Sequence, residues 1–406
     1  MSSERSENNN KINKQNIPSI RYSGFVEEWE EKKLKDVSVI NPKTEVPDMF
    51  NYIDLESVNS GMLGDIKMIN KMEAPSRAQR KLEKKDILFA TVRPYQQNNY
   101  YFNLDGTYVA STGYAQIRAK ENPLYLYYFL HTQHFLNDVM KRCTGTSYPA
   151  INSNDLKTIN IKVPSKSEQE KIASLFSSID RKIESMEKKY IKLSNFKRNL
   201  LNNTFNKTFN KYERLDKLTF YQEGPGVRNY QYTKKGIKLL NVSNFEKNNL
   251  NLSNTDRFIS EEDAYGKYNH FLVDEGDLLI ACSGIKAEYF DEKIAFAEYK
   301  HLPLCMNTST MRFKSLDNDK LDLGYLKYFF QSQKFKKEVF RVITGSAQFN
   351  FGPTHLKYFN IPLPSINKQK YLKDIFLSLD KKISYLEKEI NLNKEFKRSL
   401  LSKMFC

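Results

Sequence analysis

At 406 residues the chain is too long for one ordinary domain and implies two or three compact units. Hydrophobic residues make up 40%, enough for real cores, and 64 Lys+Arg against 48 Asp+Glu leave a net charge of +16 that favours a polyanionic partner. No apolar run approaches the ~20 residues of a bilayer span, and four cysteines (Cys143, Cys282, Cys305, Cys406) without a CxxC pair favour a reducing cytoplasm over a disulfide framework.

Residues 1–19 are polar, lack the apolar core of a signal peptide and are expected to form a disordered lead-in. From residue 20 to 165 the β-branched and aromatic content of KLKDVSVI (33–40), DILFATV (86–92) and YVASTGYAQIRA (108–119) predicts strands. A short helix is expected over YLYYFLHTQHF (125–135), then a glycine-containing loop and a strand ending at Pro164. A long helix follows over 166–211. Residues 212–364 repeat the plan with RLDKLTF (214–220), GIKLLNVS (236–243), GDLLIACS (276–283) and LCMNTSTMRFK (304–314), and a second long helix fills 365–406. Lys85-Asp86-Ile87-Leu88 and Gly276-Asp277-Leu278-Leu279 resemble each other as turn-into-strand units, and Arg118 and Arg312 are expected at similar strand positions.

The two halves repeat at an offset of 200 residues without a gap from about 125 onward. Pro164 matches Pro364, Gln169 matches Gln369, Asp180 matches Asp380, Phe196-Lys197-Arg198 matches Phe396-Lys397-Arg398, and Phe205 matches Phe405. Upstream, Thr144-Gly145 matches Thr344-Gly345. In the first long helix Ile172, Phe176, Ile179, Ile183, Met186, Tyr190 and Leu193 step by alternate fours and threes, the seam of a coiled coil. Leu372, Phe376, Leu379, Ile383, Leu386 and Ile390 repeat it. Phe196 and Leu200 continue the first seam as a stammer, and Asn393, in place of Leu193, is a polar residue of the kind that fixes register. Thirty-nine residues at ~1.5 Å make a rod of roughly 58 Å. Two such rods are expected to pair antiparallel, each buried seam side chain contributing ~1.5–3 kcal/mol before entropy is subtracted.

Catalytic motifs are missing. There is no GxxxxGK[ST] loop, Gly224-Pro225-Gly226 is not a dinucleotide fingerprint, and no Asn/Asp-Pro-Pro-aromatic segment provides an amino-methyltransferase pocket. His131 and His134 lie three apart on one helix, but their counterparts are Gln331 and Lys334 and no further ligand completes a metal site. The chain reads as a binder rather than a catalyst.

The repeated segment, a Pro-ended strand (IKVP, 161–164; IPLP, 361–364), then Gln169 or Gln369, then a hydrophobic helix holding Asp180 or Asp380, resembles the specificity subunit of type I restriction–modification systems over residues 20–406. The first copy keeps the common Glu-Gln pair as Glu168-Gln169; the second has Lys368-Gln369. The resemblance implies an α+β chain with two pseudo-symmetric α/β target recognition domains (20–165 and 212–364) separated by a pair of long antiparallel coiled-coil helices. It implies a bipartite DNA target, one half-site per domain, with two methyltransferase subunits docked for adenine N6 methylation and restriction subunits for cleavage of unmodified DNA. S-adenosylmethionine, ATP and Mg are then expected on those partners, with no cofactor and no metal in this chain. A stand-alone dual-domain DNA-binding regulator, and a duplicated coiled-coil scaffold with no nucleic-acid role, are the alternatives.

Base readout needs paired donors and acceptors, Arg for guanine and Asn or Gln for adenine. The loop after the 86–92 strand gathers Arg93, Tyr95, Gln96, Gln97, Asn98 and Asn99, while Arg77 and Arg80 suit phosphates. Loop 145–155 offers Ser147, Tyr148 and Asn152, and its counterpart offers Gln348, Phe349 and Asn350. Arg228, Asn229, Tyr230, Ser283 and Lys286 are further candidates in the second domain.

Overall fold

The computed structural model describes residues 16–59, 61–207, 209, 211–342, 348–349 and 351–405. Residues 1–15 of the expected lead-in, Thr344-Gly345, Asn350 and Cys406 lie outside the described residues. Asn16 to Ser19, included in that lead-in, instead hold fixed contacts: the Asn16 carbonyl accepts from Trp29 N–H at 3.1 Å and Ser19 Oγ donates to the Lys403 carbonyl at 3.0 Å.

The contacts divide the chain into two compact units, Met1–Glu187 with Lys388–Cys406, and Lys188–Glu387. In the first, a four-stranded antiparallel sheet has the order Ser38–Ile40, Tyr114–Ala119, Ile87–Ala90, Tyr100–Tyr101. A second sheet orders Lys67–Asn70, Met49–Ile53, Tyr108–Ser111 and Ala78–Lys81, with the middle two parallel. The second unit repeats both: Thr219–Glu223, Thr310–Ser315, Leu278–Ala281 and Ile294–Phe296 in one sheet, and Phe258–Ile259, Ile237–Leu240 and Leu304–Met306 in the other. Here too the pair in which one strand is borrowed from far along the chain, Ile237–Leu240 with Leu304–Met306, is parallel.

The repeat explains several departures from the predicted strands. KLKDVSVI contains a helical turn, Leu34–Val37, before its strand, and RLDKLTF contains Leu215–Leu218. Each turn is closed by the next hydroxyl: Ser38 Oγ donates to the Leu34 carbonyl and Thr219 Oγ1 to the Leu215 carbonyl, both at 2.7 Å. YVASTGYAQIRA and LCMNTSTMRFK each break into two strands that join different sheets. Gly113 at the first break faces Leu55 so closely that a Cβ would stand 2.8 Å from its Cδ1, and Ser309 at the second takes φ +74°.

The turn-into-strand units match in detail. Asp86 and Asp277 are buried and accept from the backbone N–H of Glu83 (2.8 Å) and Asp274 (2.9 Å). Strand register corrects the expected equivalence of Arg118 and Arg312. Ile87 pairs with Ile117 and Leu278 with Phe313, so Arg118 corresponds to Lys314 and Arg312 to Gln116. Both arginines are structural. Arg118 forks onto Asp86 at 2.8 and 3.0 Å, and Arg312 donates to Asp277, Gln222 and the carbonyls of Leu272 and His270.

The long helices span Lys166–Asn206 and Ile366–Met404. Each is shared. In the first unit, Ile172, Phe176 and Ile183 of the first helix pack with Leu401, Met404 and Phe405 around the second. In the second unit, Leu201 and Phe205 pack in one cluster with Phe376 and Leu379. The ion pairs Asp180–Lys397 and Glu187–Lys394, both 2.6 Å, advance on one helix while retreating on the other, so the segments run antiparallel.

The seam differs from the expected one at a single step. Phe196 is 54% exposed, and Lys197 occupies the inward position, so the alternation of fours and threes continues from Leu193 through Lys197 to Leu200 without a stammer. Lys197 pairs with Asp380, whose other oxygen accepts from Tyr328 Oη at 2.8 Å; Lys397 pairs with Asp180, which accepts from Tyr128 Oη at 2.9 Å. Burial and the adjacent carboxylate push both phenols far above their ordinary range. A lysine in an apolar seam has one matching partner, so these two Tyr–Asp–Lys triads fix register. Asn393, expected in that role, donates to its own helix at the Glu389 carbonyl.

Gln169 and Gln369 pin the start of each long helix to the strand before it, donating to the carbonyls of Pro164 (3.0 Å) and Pro364 (2.9 Å). Glu168 is buried and accepts two bonds from Arg21 and one from Trp29 Nε1. Lys368 lies instead over the Tyr371 ring.

Candidate nucleic-acid interface

In each unit four segments distant in sequence are stitched side by side at one end of the first sheet. In the first unit, Thr112 N–H donates to the Arg77 carbonyl, Thr91 N–H and Oγ1 donate to the Gly113 carbonyl, and Ile151 N–H donates to the Thr91 carbonyl. The resulting order is 77, 112–113, 91–93, 149–151. In the second unit Gly224 N–H donates to the Thr310 carbonyl, Cys282 N–H to the Ser309 carbonyl, and Phe351 N–H to the Cys282 carbonyl. That order is 224, 309–310, 282, 351. Sequence alone places the candidate loops on one plan; the backbone bonds bring them together.

The exit from strand Ile87–Ala90 is held in a tight shape. Arg93 (φ +52°) and Gln97 (φ +51°) bracket the turn Pro94–Gln96, and left-handed backbone at two non-glycine residues is costly unless the surroundings enforce it. Here Arg93 N–H donates to the Pro149 carbonyl at 2.8 Å and its guanidinium lies over the Tyr148 ring, 4.3 Å from the centroid. The stack fixes a guanidinium fork beside Tyr148, which is 62% exposed, with Ser147, Tyr95 and Gln96 also exposed. Arg77 is exposed and next in line, whereas Arg80 is half-buried with its Nε unpartnered and its charge disfavoured by desolvation.

Three predicted readers serve the protein instead. Asn99 is 1% exposed; its Oδ1 accepts from Ala90 N–H at 2.9 Å. Asn152 is exposed but caps the helix Ser153–Lys157, accepting from the N–H of Asn154 and Asp155. Gln97 is half-buried and donates to the His131 carbonyl at 3.3 Å. His131 itself is half-buried, and desolvation lowers its pKa to about 4. Asn98 is half-buried.

In the second unit Arg228, Asn229 and Tyr230 stand on an exposed turn, Asn229–Gln231, with Tyr230 87% exposed. Upstream of that turn, Gly224 lies so close to the neighbouring loop that a Cβ would meet the Asn307 carbonyl oxygen at 2.2 Å. Ile285–Lys286 and Gln348–Phe349 form a two-stranded ribbon beyond the sheet, pairing Ile285 with Phe349 and Lys286 with Gln348. Lys286 is exposed and Ser283 half-buried. Sequence reasoning missed Glu223, Thr112 and Ser309; the Gly-Pro-Gly after a strand was the signal for the first of these.

Two copies of one plan, each ending in an exposed set of Arg, Tyr and amide side chains, fit a reader of a split polyanion. The sequence pattern described as the type I restriction modification DNA specificity domain matches residues 26–195 and again 219–394. The chain belongs to this family. It is a specificity subunit of a type I restriction–modification system, a non-catalytic DNA-recognition subunit with two recognition domains.

Among related specificity subunits, that of the type I restriction enzyme MjaVIII from Methanocaldococcus jannaschii is 23% identical over 299 residues, 69% of this chain and 68% of that one. A chain from a structure of the complex assembly and conformational transition of the type I R-M system shares 20% identity and aligns at a TM-score of 0.60 over 94% of this chain and 98% of the other. The type I restriction–modification S subunit from M. genitalium aligns at 0.59 with 15% identity, over 96% and 99%. At those identities the two structures establish the shared fold of specificity subunits. Among the described residues no helix is long and apolar enough to cross a membrane.

Proposed function

We propose that this specificity subunit directs a methylating complex to a bipartite DNA sequence, one half-site read by each unit. Two methyltransferase subunits dock on the paired helices for adenine N6 methylation, and restriction subunits cleave unmodified DNA. S-adenosylmethionine, ATP and Mg belong to those partners, and the complex works in the cytoplasm. The observation that carries this reading is the duplicated stitching of three loops, 113 with 91 and 151 in one unit and 309 with 282 and 351 in the other, with unlike side chains around them. Arg93, Tyr95, Gln96 and Tyr148 crown one copy, and Arg228, Asn229, Tyr230 and Lys286 the other. A common frame with different surfaces suits two different half-sites.

Exchanging residues 20–160 for the corresponding domain of another specificity subunit, then mapping N6-methyladenine, tests this. One half-site should change and the other stay; a change in both refutes independent reading. Four residues inserted near Lys188 lengthen that helix by ~6 Å, close to two base-pair steps of ~3.4 Å. The gap between half-sites should grow accordingly, and an unchanged gap argues against a helical spacer. Co-purification with methyltransferase subunits separates this function from a stand-alone regulator.

A further inference from the structure

The second unit carries a carboxylate where the first has none. Glu223 closes the strand Thr219–Glu223 and stands where three of the stitched segments meet. Its own chain turns away at Gly224, the backbone of Ser309 hydrogen-bonds it, and Gly352 lies so near that a Cβ there would stand 3.5 Å from Glu223 Oε2. Register identifies the counterpart. Tyr221 pairs with Phe313 as Ile40 pairs with Ile117, so by counting along the strand Glu223 corresponds to Pro42, which lies past the last strand pair of the first unit and after Asn41 at φ +54°.

The side chain is half-buried, and no Lys or Arg among the described residues forms an ion pair with it. Burial raises its pKa above the ordinary carboxylate value, so holding it charged here is unfavourable in the free protein. Beside DNA phosphates an acidic group is further disfavoured. An ionised carboxylate accepts hydrogen bonds and donates none. In the major groove the only base groups that donate are cytosine N4 and adenine N6.

We propose that Glu223 is a specificity-determining residue that accepts a hydrogen bond from an exocyclic amino group, cytosine N4 or adenine N6, in the half-site read by the second unit. This rests on the DNA-reading function proposed above. Glycine at 352, whose Cβ position meets nothing but the carboxylate, leaves room on that side for a base edge, and the Ser309 bond fixes another side of it. The first unit, with a proline at this place, reads its half-site without such a contact.

The test uses the full chain with its partner subunits, comparing wild type, Glu223→Gln and Glu223→Ala by genome-wide N6-methyladenine mapping. Competition binding to duplexes varied one base at a time accompanies it. The expected result is relaxation at one base position in one half-site, with discrimination there falling roughly tenfold to a hundredfold and the other half-site unchanged. Loss of preference for cytosine identifies N4 as the donor, and loss of preference for adenine identifies N6. Thermal melting monitors folding; if the alanine variant fails to fold, Glu223→Asp, which withdraws the carboxylate by one methylene, should show the same relaxation. A wild-type motif retained in both variants overturns the assignment of Glu223 alone. A uniform loss of binding to all four bases overturns it also. A wild-type complex with no sequence preference overturns the DNA-reading function and this inference together.

Discussion

Phe405→Ala tests how the second long helix is anchored in the first unit. The ring is 7% exposed and surrounded by Trp29, Tyr125, Phe129 and Phe176 at centroid distances of 6.2, 5.5, 5.9 and 5.7 Å. Truncating a buried phenylalanine costs about 3–5 kcal/mol. Phe405 follows the last helical residue, Met404, so its surroundings relax readily and the lower figure, about 3 kcal/mol, is expected. Its counterpart Phe205 is fully buried against Tyr325 and Phe329 at 5.3 and 5.4 Å, with helix before it and chain after it, and Phe205→Ala is expected to cost about 4–5 kcal/mol in the second unit. Trp29 is the chain's single tryptophan and touches Phe405, so its fluorescence reports on the first unit. Urea titration followed by that signal should show Phe405→Ala shifted down by about 1 M or more, with Phe205→Ala near the wild-type midpoint. Hydrogen exchange over 388–404 should accelerate by about two orders of magnitude. A loss below about 1 kcal/mol in Phe405→Ala, or an equal shift in Phe205→Ala, refutes reciprocal anchoring of the two helices.

His131 has a folded pKa of about 4 against an ordinary 6.5, because burial disfavours its charged form. The unfolded chain therefore binds a proton that the folded one refuses, and stability should fall as pH drops from about 6.5 to 4, by up to about 1.4 kcal/mol per pH unit. His131→Gln, the residue of the other repeat, should flatten that stretch of a stability–pH curve measured by urea denaturation. A double-mutant cycle on Lys397→Ala and Asp180→Asn should give a coupling of about 1 kcal/mol, discounted because both side chains are partly exposed, and diminishing with salt. Coupling indistinguishable from zero at low salt removes the triad from the account of register. Asn99→Ala should lower melting stability by about 1–3 kcal/mol by orphaning the Ala90 N–H, while leaving the salt dependence of DNA binding unchanged. Arg93→Ala should do the reverse, weakening binding in a salt titration and lowering its slope by about 1 if the guanidinium meets a phosphate.

Much of the frame is legible in the residues. The 200-residue offset of Asp180 and Asp380, of Phe205 and Phe405, and of the two Gln residues marks positions whose contacts the structure duplicates, and the periodic seam specifies helices that pair along one face. Phe196 was expected on the seam in place of Lys197, because an ionic side chain breaks an apolar pattern. Only its neighbours across the helix pair, Asp380 and Tyr328, make the inward position tolerable. The candidate readers divided for a similar reason. Asn99 and Asn152 have the chemistry of base readers, but a backbone N–H nine residues away and a helix start claim them first.

By itself the sequence determined the duplication, the helical seams, the turn-into-strand acids and the lack of catalytic motifs, because these are short-range patterns repeated along the chain. The tertiary structure decided which candidate side chains stand exposed beside the stitched loops and which are claimed by the fold. Thr91 meets Ile151, and Gly224 meets Thr310, through backbone bonds between segments 60 and 86 residues apart by number. Their alignment follows from sheet register, in which a shift of one residue would turn every side chain to the opposite face.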